Sequence, residues 1–226
     1  DQLAMLESQA TASQLAMLRY QINPHFLFNT LNSISTLVLL KQTEPANAML
    51  SRLSAFLRYT LVNEPTANVT MAQEVETLKL YLDIEKMRFE ERLRVTFDID
   101  PLVTNARLPS LLLQPLIENA IKYAVTPSEE GADIVLQAQL VGQNVRIIVS
   151  DSGGGLNPDI SVPTPSTGVG LTNIRDRLAQ AYGEQHRFDT QDIPGGGFAV
   201  TIELPFAVAP ALADTPPTET KAIQPA

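Results

Sequence analysis

His25, in the run PHFLFN at 24–29, and Asp151, in the run VSDSGGGL at 149–156, are the side chains of this sequence best placed to do chemistry. A neutral imidazole, with an ordinary pKa of about 6.5, is a competent nucleophile near neutral pH. On a helical wheel of residues 21–40, His25, Asn29, Asn32 and Thr36 recur at helical spacing on one side. Leu27, Leu31, Ile34 and Val38 recur on the other, which predicts an apolar line facing a core. His25 therefore heads a polar stripe, and Pro24 before it starts or bends the helix there. A solvent-facing histidine beside a helix kink fits the same pattern, and periodicity alone does not choose. His186, in the polar run GEQHRF, has nothing convergent around it and reads as a surface residue.

Three glycine-rich clusters follow. In the first, an apolar run ends in Asp151 and three glycines, so a carboxylate is held at a strand end by a tight turn. Such a carboxylate accepts from a flat donor such as the exocyclic amine of adenine, and a guanine would leave it unpaired. An ordinary Asp-Gly hairpin has the same composition. In the second, STGVGLTNIRDRL, Gly168 and Gly170 lead into a helix from Leu171 to Tyr182, where backbone N–H groups and the helix dipole favour phosphate. The third, PGGGFAVTIELP, is accounted for by a turn entering a strand.

A fourth segment, LLLQPLIENAIKYA at 111–124, reads as a helix over 110–124. Gln114, Glu118 and Lys122 share a face, with Asn119 and Tyr123 beside them. A neutral amide and an ammonium together suit a Mg²⁺–triphosphate, the amide oxygen taking the hard cation and the lysine the phosphate charge. An amphipathic helix with an i,i+4 ion pair accounts for the same residues. The Pro-, Ser- and Thr-rich stretch 157–167 is a candidate lid. There is no GxxxxGK[ST], and no GxGxxG follows an early strand, so P-loop and Rossmann chemistry have no foothold.

The elements that must position these residues divide the chain in two. Residues 1–62 are rich in Leu, Ala, Met and Gln, lack glycine and carry QLAML twice, at 2–6 and 14–18. They predict a helical hairpin, with a second helix from about Pro45 through Met49, Leu53 and Phe56 to Leu61, whose apolar face needs a second copy to cover it. A helix over 72–90 follows, then strand-period runs at 94–100, 133–140, 144–150 and 198–204, while ten of the 11 glycines fall between Gly142 and Gly197. The expected division is a dimerising helical unit (1–66), an α/β sandwich (67–206) and a disordered Pro/Ala/Thr tail (207–226).

Composition sets the outer bounds. Among 226 residues there are two histidines, no cysteine and a net charge of −9. That excludes disulfides, thiolate metal sites and thiol nucleophiles, and it argues against a nucleic-acid binder. No apolar run approaches the roughly 20 residues of a membrane span, and no signal-peptide layout opens the chain. The expectation is a cytoplasmic piece of a longer protein.

Taken in order, PHFLFN, LLLQPLIENAIKYA, DSGGGL, GVGLTNIRDRL and GGGFAVTIELP resemble the LytS/YehU-type sensor histidine kinases over about residues 15–205. The resemblance implies a dimerising hairpin followed by a GHKL-type α/β sandwich, with ATP and Mg²⁺ as cofactors. It implies His25 as phosphoacceptor, Asn119 as the Mg²⁺-binding asparagine, and Lys122 and Tyr123 beside the nucleotide. Asp151 would read adenine, with Gly153 and Gly155 making its turn, and Gly168, Gly170 and Leu171 would lie near the phosphates. Partners would be a response regulator, often one with a LytTR output domain, and a second copy of the chain. Membrane attachment would come only through a sensor region absent from this chain, which would make it the cytoplasmic portion of an inner-membrane protein.

Departures from neighbouring families are informative. Phe26 stands where many histidine kinases carry an acidic residue next to the phosphoacceptor, so the proton acceptor has no name; Asn29 or a residue of the ATP unit would orient the imidazole. Pro115 occupies the position four before Asn119 where hydrolysing GHKL enzymes carry glutamate, which favours transfer to histidine over transfer to water. Glu118 is a candidate base or a structural residue, Phe198 is assigned no ligand, and Asn29 could also place water for regulator dephosphorylation. The competing readings are a degenerate nucleotide-binding scaffold and a GHKL ATPase.

Overall fold

The computed structural model describes residues 23–62, 68–153 and 165–208. The QLAML repeats, Gly155, most of the 157–167 stretch and nearly all of the 207–226 tail lie outside the described residues.

Helix α1 (Pro24–Leu39) starts where the proline suggested. Asn23 caps it, its Oδ1 accepting from the His25 N–H at 3.0 Å, and Pro24 sits in the first turn where its missing N–H costs nothing. The helix ends in a Schellman-type turn: the Gln42 N–H donates to the Leu37 carbonyl at 2.8 Å while Lys41 takes φ 59°. Helix α2 (Thr43–Val62) then folds back and buries Ala46, Met49, Leu53 and Phe56.

The buried side of α1 is only partly the predicted line: Leu27 and Ile34 pack on the core, but the line is not its centre. Phe26 and Thr30 are buried, whereas Leu31 and Val38 are 50% and 55% exposed. The cause is an aromatic cluster: Phe26 packs at 4.8 Å from Tyr81 and edge-on at 5.5 Å from Phe56, rolling the helix toward its own hairpin partner and the next helix. Thr30 is tolerated inside because its hydroxyl donates to the Phe26 carbonyl at 2.8 Å. Leu31 and Val38, with Leu39, Leu40 and Leu50, are left without cover in a single chain.

Strand β1 (Asn68–Thr70) pairs antiparallel with β3 (Arg107–Pro109), and helix α3 (Met71–Phe89) opens on a Thr70–Gln73 capping box. The remaining strands are β2 (Leu93–Ile99), β4 (Ala132–Val141), β5 (Asn144–Asp151), β6 (Arg187–Asp192) and β7 (Phe198–Pro205). They form one sheet in the order β2-β4-β5-β7-β6, with β2 and β4 parallel and the other neighbours antiparallel. Ile134, Leu136, Val145, Ile147, Val149, Val200, Ile202 and Leu204 are buried at every second position, so one face is covered. Helices α3, α4 (Gln114–Ala120) and α5 (Pro165–Tyr182) supply that cover, Leu78, Leu82, Leu116, Ile117, Ile174 and Leu178 all joining the same core. This is the helical hairpin followed by an α/β sandwich that the sequence predicts.

Two helix boundaries differ from the sequence reading. The helix expected over 110–124 begins only at Gln114, because Leu111 stands at φ 56° in a turn held from both sides. Glu74 accepts from the Leu111 and Leu113 N–H groups at 3.0 and 2.9 Å, and Arg177 donates to the Ser110 and Leu111 carbonyls at 2.7 and 3.3 Å. After Ala120 the helix widens into a π turn, Ile121–Val125. Helix α5 in turn begins at Pro165, so Gly168 and Gly170 lie inside it instead of in a loop leading to it.

Candidate functional site

His25 stands exposed on the first turn of α1, with Asn29 one turn on: the Asn29 amide nitrogen lies 3.0 Å from the imidazole Nδ1. Asn32 and Thr36 continue the exposed stripe. Its neighbours fix the backbone on either side of the ring. Asn23 holds the N–H of His25 itself, and Phe26 is locked in the aromatic cluster.

At the other locus Asp151 closes β5, where it pairs with Phe198 of β7. Its carboxylate accepts from the Gly153 N–H at 3.0 Å, and burial pushes its pKa up, against the pull of the Gly153 and Phe198 N–H groups. Gly153 has no room for a side chain: a Cβ would lie 2.6 Å from Ala124 Cβ and 2.9 Å from Ala124 Cα. The third glycine cluster backs the first. Gly197, at φ 112°, would place a Cβ 2.1 Å from the Asp151 carbonyl, so PGGG is pressed against the strand end that carries the aspartate. By sequence alone this run is a turn entering a strand. Its signal, three consecutive glycines before a strand, was present but could not name what it packs on.

Ala124 belongs to the π turn, so the first glycine cluster and the 111–124 segment meet there. Such turns often mark functional positions. Arg92 donates to the Val125, Thr126 and Ser128 carbonyls at 3.0, 3.2 and 2.8 Å, satisfying the open end of the turn. Lys122 is exposed on it, its ammonium 5.0 Å from the ring centre of Tyr123. Asn119, in the last turn of α4 just ahead of the π turn, is half-buried. Its amide is an oxygen donor of the kind Mg²⁺ takes beside phosphate oxygens. Leu171 is half-buried and packs on the core, whereas Gly170 is exposed with open space around it. The structure therefore brings Asp151, Gly153 and the π turn together; Gly155 lies outside the described residues.

Glu118, by sequence a candidate base or a structural residue, joins the His25 helix to the helix that carries Asn119. Its two carboxylate oxygens accept from different units of the chain: Oε1 from Gln114 Nε2 at 2.8 Å and Oε2 from Asn23 Nδ2 at 3.2 Å. Burial raises its pKa, and the two amide donors oppose that rise. Glu85, paired to Arg88 at 2.6 Å, and the buried Tyr81 feel its charge.

An exposed histidine on a helical hairpin thus precedes a sandwich whose sheet end carries an aspartate over glycines. Residues 13–93 match the family profile described as histidine kinase, and residues 104–208 match that of the histidine kinase-, DNA gyrase B- and HSP90-like ATPases. The chain is 37% identical over 193 residues to sensor histidine kinase YesM of Bacillus subtilis, covering 85% of this chain and 33% of that protein. It is 34% identical over 200 residues to sensor histidine kinase BtsS of Escherichia coli, covering 88% and 35%. To YwpD of Bacillus subtilis, an uncharacterised protein, it is 35% identical over 203 residues, covering 87% and 72%. The chain belongs to the sensor histidine kinase family. It spans about a third of the length of the kinases YesM and BtsS.

Proposed function

We propose that this chain is the catalytic portion of a two-component sensor kinase, moving the γ-phosphoryl group of ATP to His25 and then to a response-regulator aspartate. The observation that carries the reading is the exposed His25 on a helix whose N-terminus is hydrogen-bonded, through Asn23, to the residue next to Asn119. On this reading residues 1–66 serve phosphoacceptance and dimerisation, and 67–206 nucleotide binding. Asp151 accepts from the adenine amine, Asn119 holds Mg²⁺, Lys122 and Tyr123 flank the nucleotide, and Gly168, Gly170 and Leu171 lie toward the phosphates. Bound Mg²⁺ supplies charge neutralisation on the phosphates.

In the transfer, an imidazole nitrogen forms the N–P bond as the bond between the γ-phosphorus and the β–γ bridging oxygen breaks, and ADP leaves. For attack through Nε2 the ring must carry its proton on Nδ1. The Asn29 amide, turned to present Oδ1, accepts a hydrogen bond from that Nδ1–H at the same heavy-atom separation. The Nδ1 proton is released to solvent in the product or on later transfer. Leu31, Val38, Leu39, Leu40 and Leu50, all exposed, support a second copy of the chain as the cover for the hairpin. Among the described residues no helix is long and apolar enough to cross a membrane, so attachment, like a LytTR-type regulator, rests on the family resemblance.

Incubation with γ-labelled ATP and Mg²⁺ tests the reading. It expects an acid-labile, base-stable label that His25→Gln abolishes while nucleotide binding persists. Label retained in that variant places the acceptor elsewhere. Nucleotide binding with no transfer at all identifies the scaffold alternative, and phosphate release independent of His25 identifies an ATPase.

A further inference from the structure

The hydrogen bond from Asn23 to Glu118 spans 95 positions of sequence and joins the cap of the His25 helix to the helix that carries Asn119. Asn23 is therefore bifunctional: its Oδ1 fixes the His25 N–H, and its Nδ2 reaches Glu118. Gln114 fills the other oxygen of the carboxylate, so Glu118 is oriented from within its own helix before it meets Asn23. Phe26 adds a second anchor one residue past the histidine. The ring of His25 remains exposed through all of this, so the docking neither covers the nucleophile nor buries it.

We infer that Asn23, Gln114 and Glu118 form a docking clamp whose task is to hold His25 in register with the nucleotide unit during phosphoryl transfer, with Glu118 a positioning residue and not the base. The inference rests on the kinase reading above. Its physical content is orientation: reacting atoms must be held to within a fraction of an ångström and in line, and a pinned helix start removes freedom that a free hairpin would have. Glu118 is chemically suited because a carboxylate accepts from two amides at once without presenting a donor to either.

Donor and acceptor can be exchanged across this contact, which makes the clamp testable. Asn23→Asp keeps the helix cap, since Asp serves as well as Asn there, but sets a second carboxylate against Glu118. Glu118→Gln removes the charge. Its amide can offer oxygen to Asn23 and nitrogen to Gln114, whose buried Oε1 has no partner among the described residues and can turn to accept. With both changes, the amide introduced at position 118 donates to the carboxylate introduced at position 23 and accepts from Gln114. Every bond is then restored, with the polarity of one reversed.

The experiment measures initial His25 labelling against ATP concentration, with nucleotide affinity by direct titration, for the wild type, N23D, E118Q and the double variant in the full chain. Asn23→Asp is expected to lower kcat at least about tenfold with ATP affinity and KM unchanged. E118Q and the double variant stay within about threefold of wild type. A dead E118Q makes Glu118 the base and overturns the inference. So does an N23D that labels normally, or a double variant no faster than N23D. Faster labelling in N23D would make the contact a brake, and overturns it as well. A wild type that never labels His25 fails the kinase reading itself, an outcome distinct from any of these.

Discussion

The imidazole of His25 is hydrogen-bonded to Asn29, and what that neighbour does decides which ring nitrogen is available. As the side chains stand, Asn29 Nδ2 faces Nδ1 at 3.0 Å, and the same contact with the amide turned over favours the proton on Nδ1 and a free Nε2. An amide can serve either tautomer; a carboxylate at the same place can serve only the Nδ1–H form. Asn29→Asp should therefore preserve or raise the labelling rate. Asn29→Ala should lower the rate about tenfold, the scale of one lost hydrogen bond to a reacting group. Labelling rates, with the ring tautomer followed by NMR, check both. Equal rates in the two variants would remove Asn29 from the reaction and leave it as an ordinary exposed residue of α1.

At the scale of elements, the π turn Ile121–Val125 meets the strand end that carries Asp151 and Gly153, and a side chain distant in sequence braces its end. The Val125 carbonyl accepts from the Ser128 N–H at 3.2 Å and the Ser128 carbonyl from the Gly131 N–H at 3.2 Å, and one guanidinium, Arg92, just past α3, adds donors to Val125, Thr126 and Ser128. Arg92→Met keeps the apolar stem and removes the donors. It should cost about 1–3 kcal/mol of stability and weaken ATP binding, because Lys122 and Tyr123 ride on the turn and Gly153 leans on Ala124. Thermal unfolding and nucleotide titration check this; affinity unchanged at a lowered Tm would separate the turn from the site.

How legible each element was in the sequence follows from what holds it. The strands at 93–99, 132–141, 144–151 and 198–205 alternate because one face is buried, and their alternation was read to within a residue or so. Strand β6, RFDTQD, is an exposed edge with no buried residue, so it carried no alternation to read. The start of α4 was misplaced because Glu74 and Arg177, distant in sequence, decide it. His25, Asp151 and Gly153 were legible because their residue types are unusual for their places. The bond from Asn23 to Glu118 was not, since no local pattern encodes a contact across 95 positions.

The whole molecule is acidic, and several of its carboxylates are held where charge is disfavoured. Burial raises the pKa of Glu74, Glu85 and Glu118 above the ordinary 4.5 and that of Asp151 above 3.8. The native state thus binds these protons more tightly than the unfolded chain does. Their contribution to stability is fully present below the ordinary values and is lost as pH rises through the native ones. Asp133 runs the other way: the hydrogen bond from Arg94 lowers its pKa below 3.8, so its contribution is present above that value and lost as pH falls through the native one. The net charge of −9 adds self-repulsion that also eases on mild acidification. Stability should therefore rise as pH is lowered from neutrality toward the ordinary carboxylate values, and turn down only where salt-bridged carboxylates protonate. The rise should be shallower in Glu118→Gln, which has no proton to bind at that site. Tm measured across this range in both proteins decides it: a wild-type Tm that falls steadily from neutral pH into acid, or a slope that E118Q leaves unaltered, means that these carboxylates reach water more freely than their burial in the fold implies.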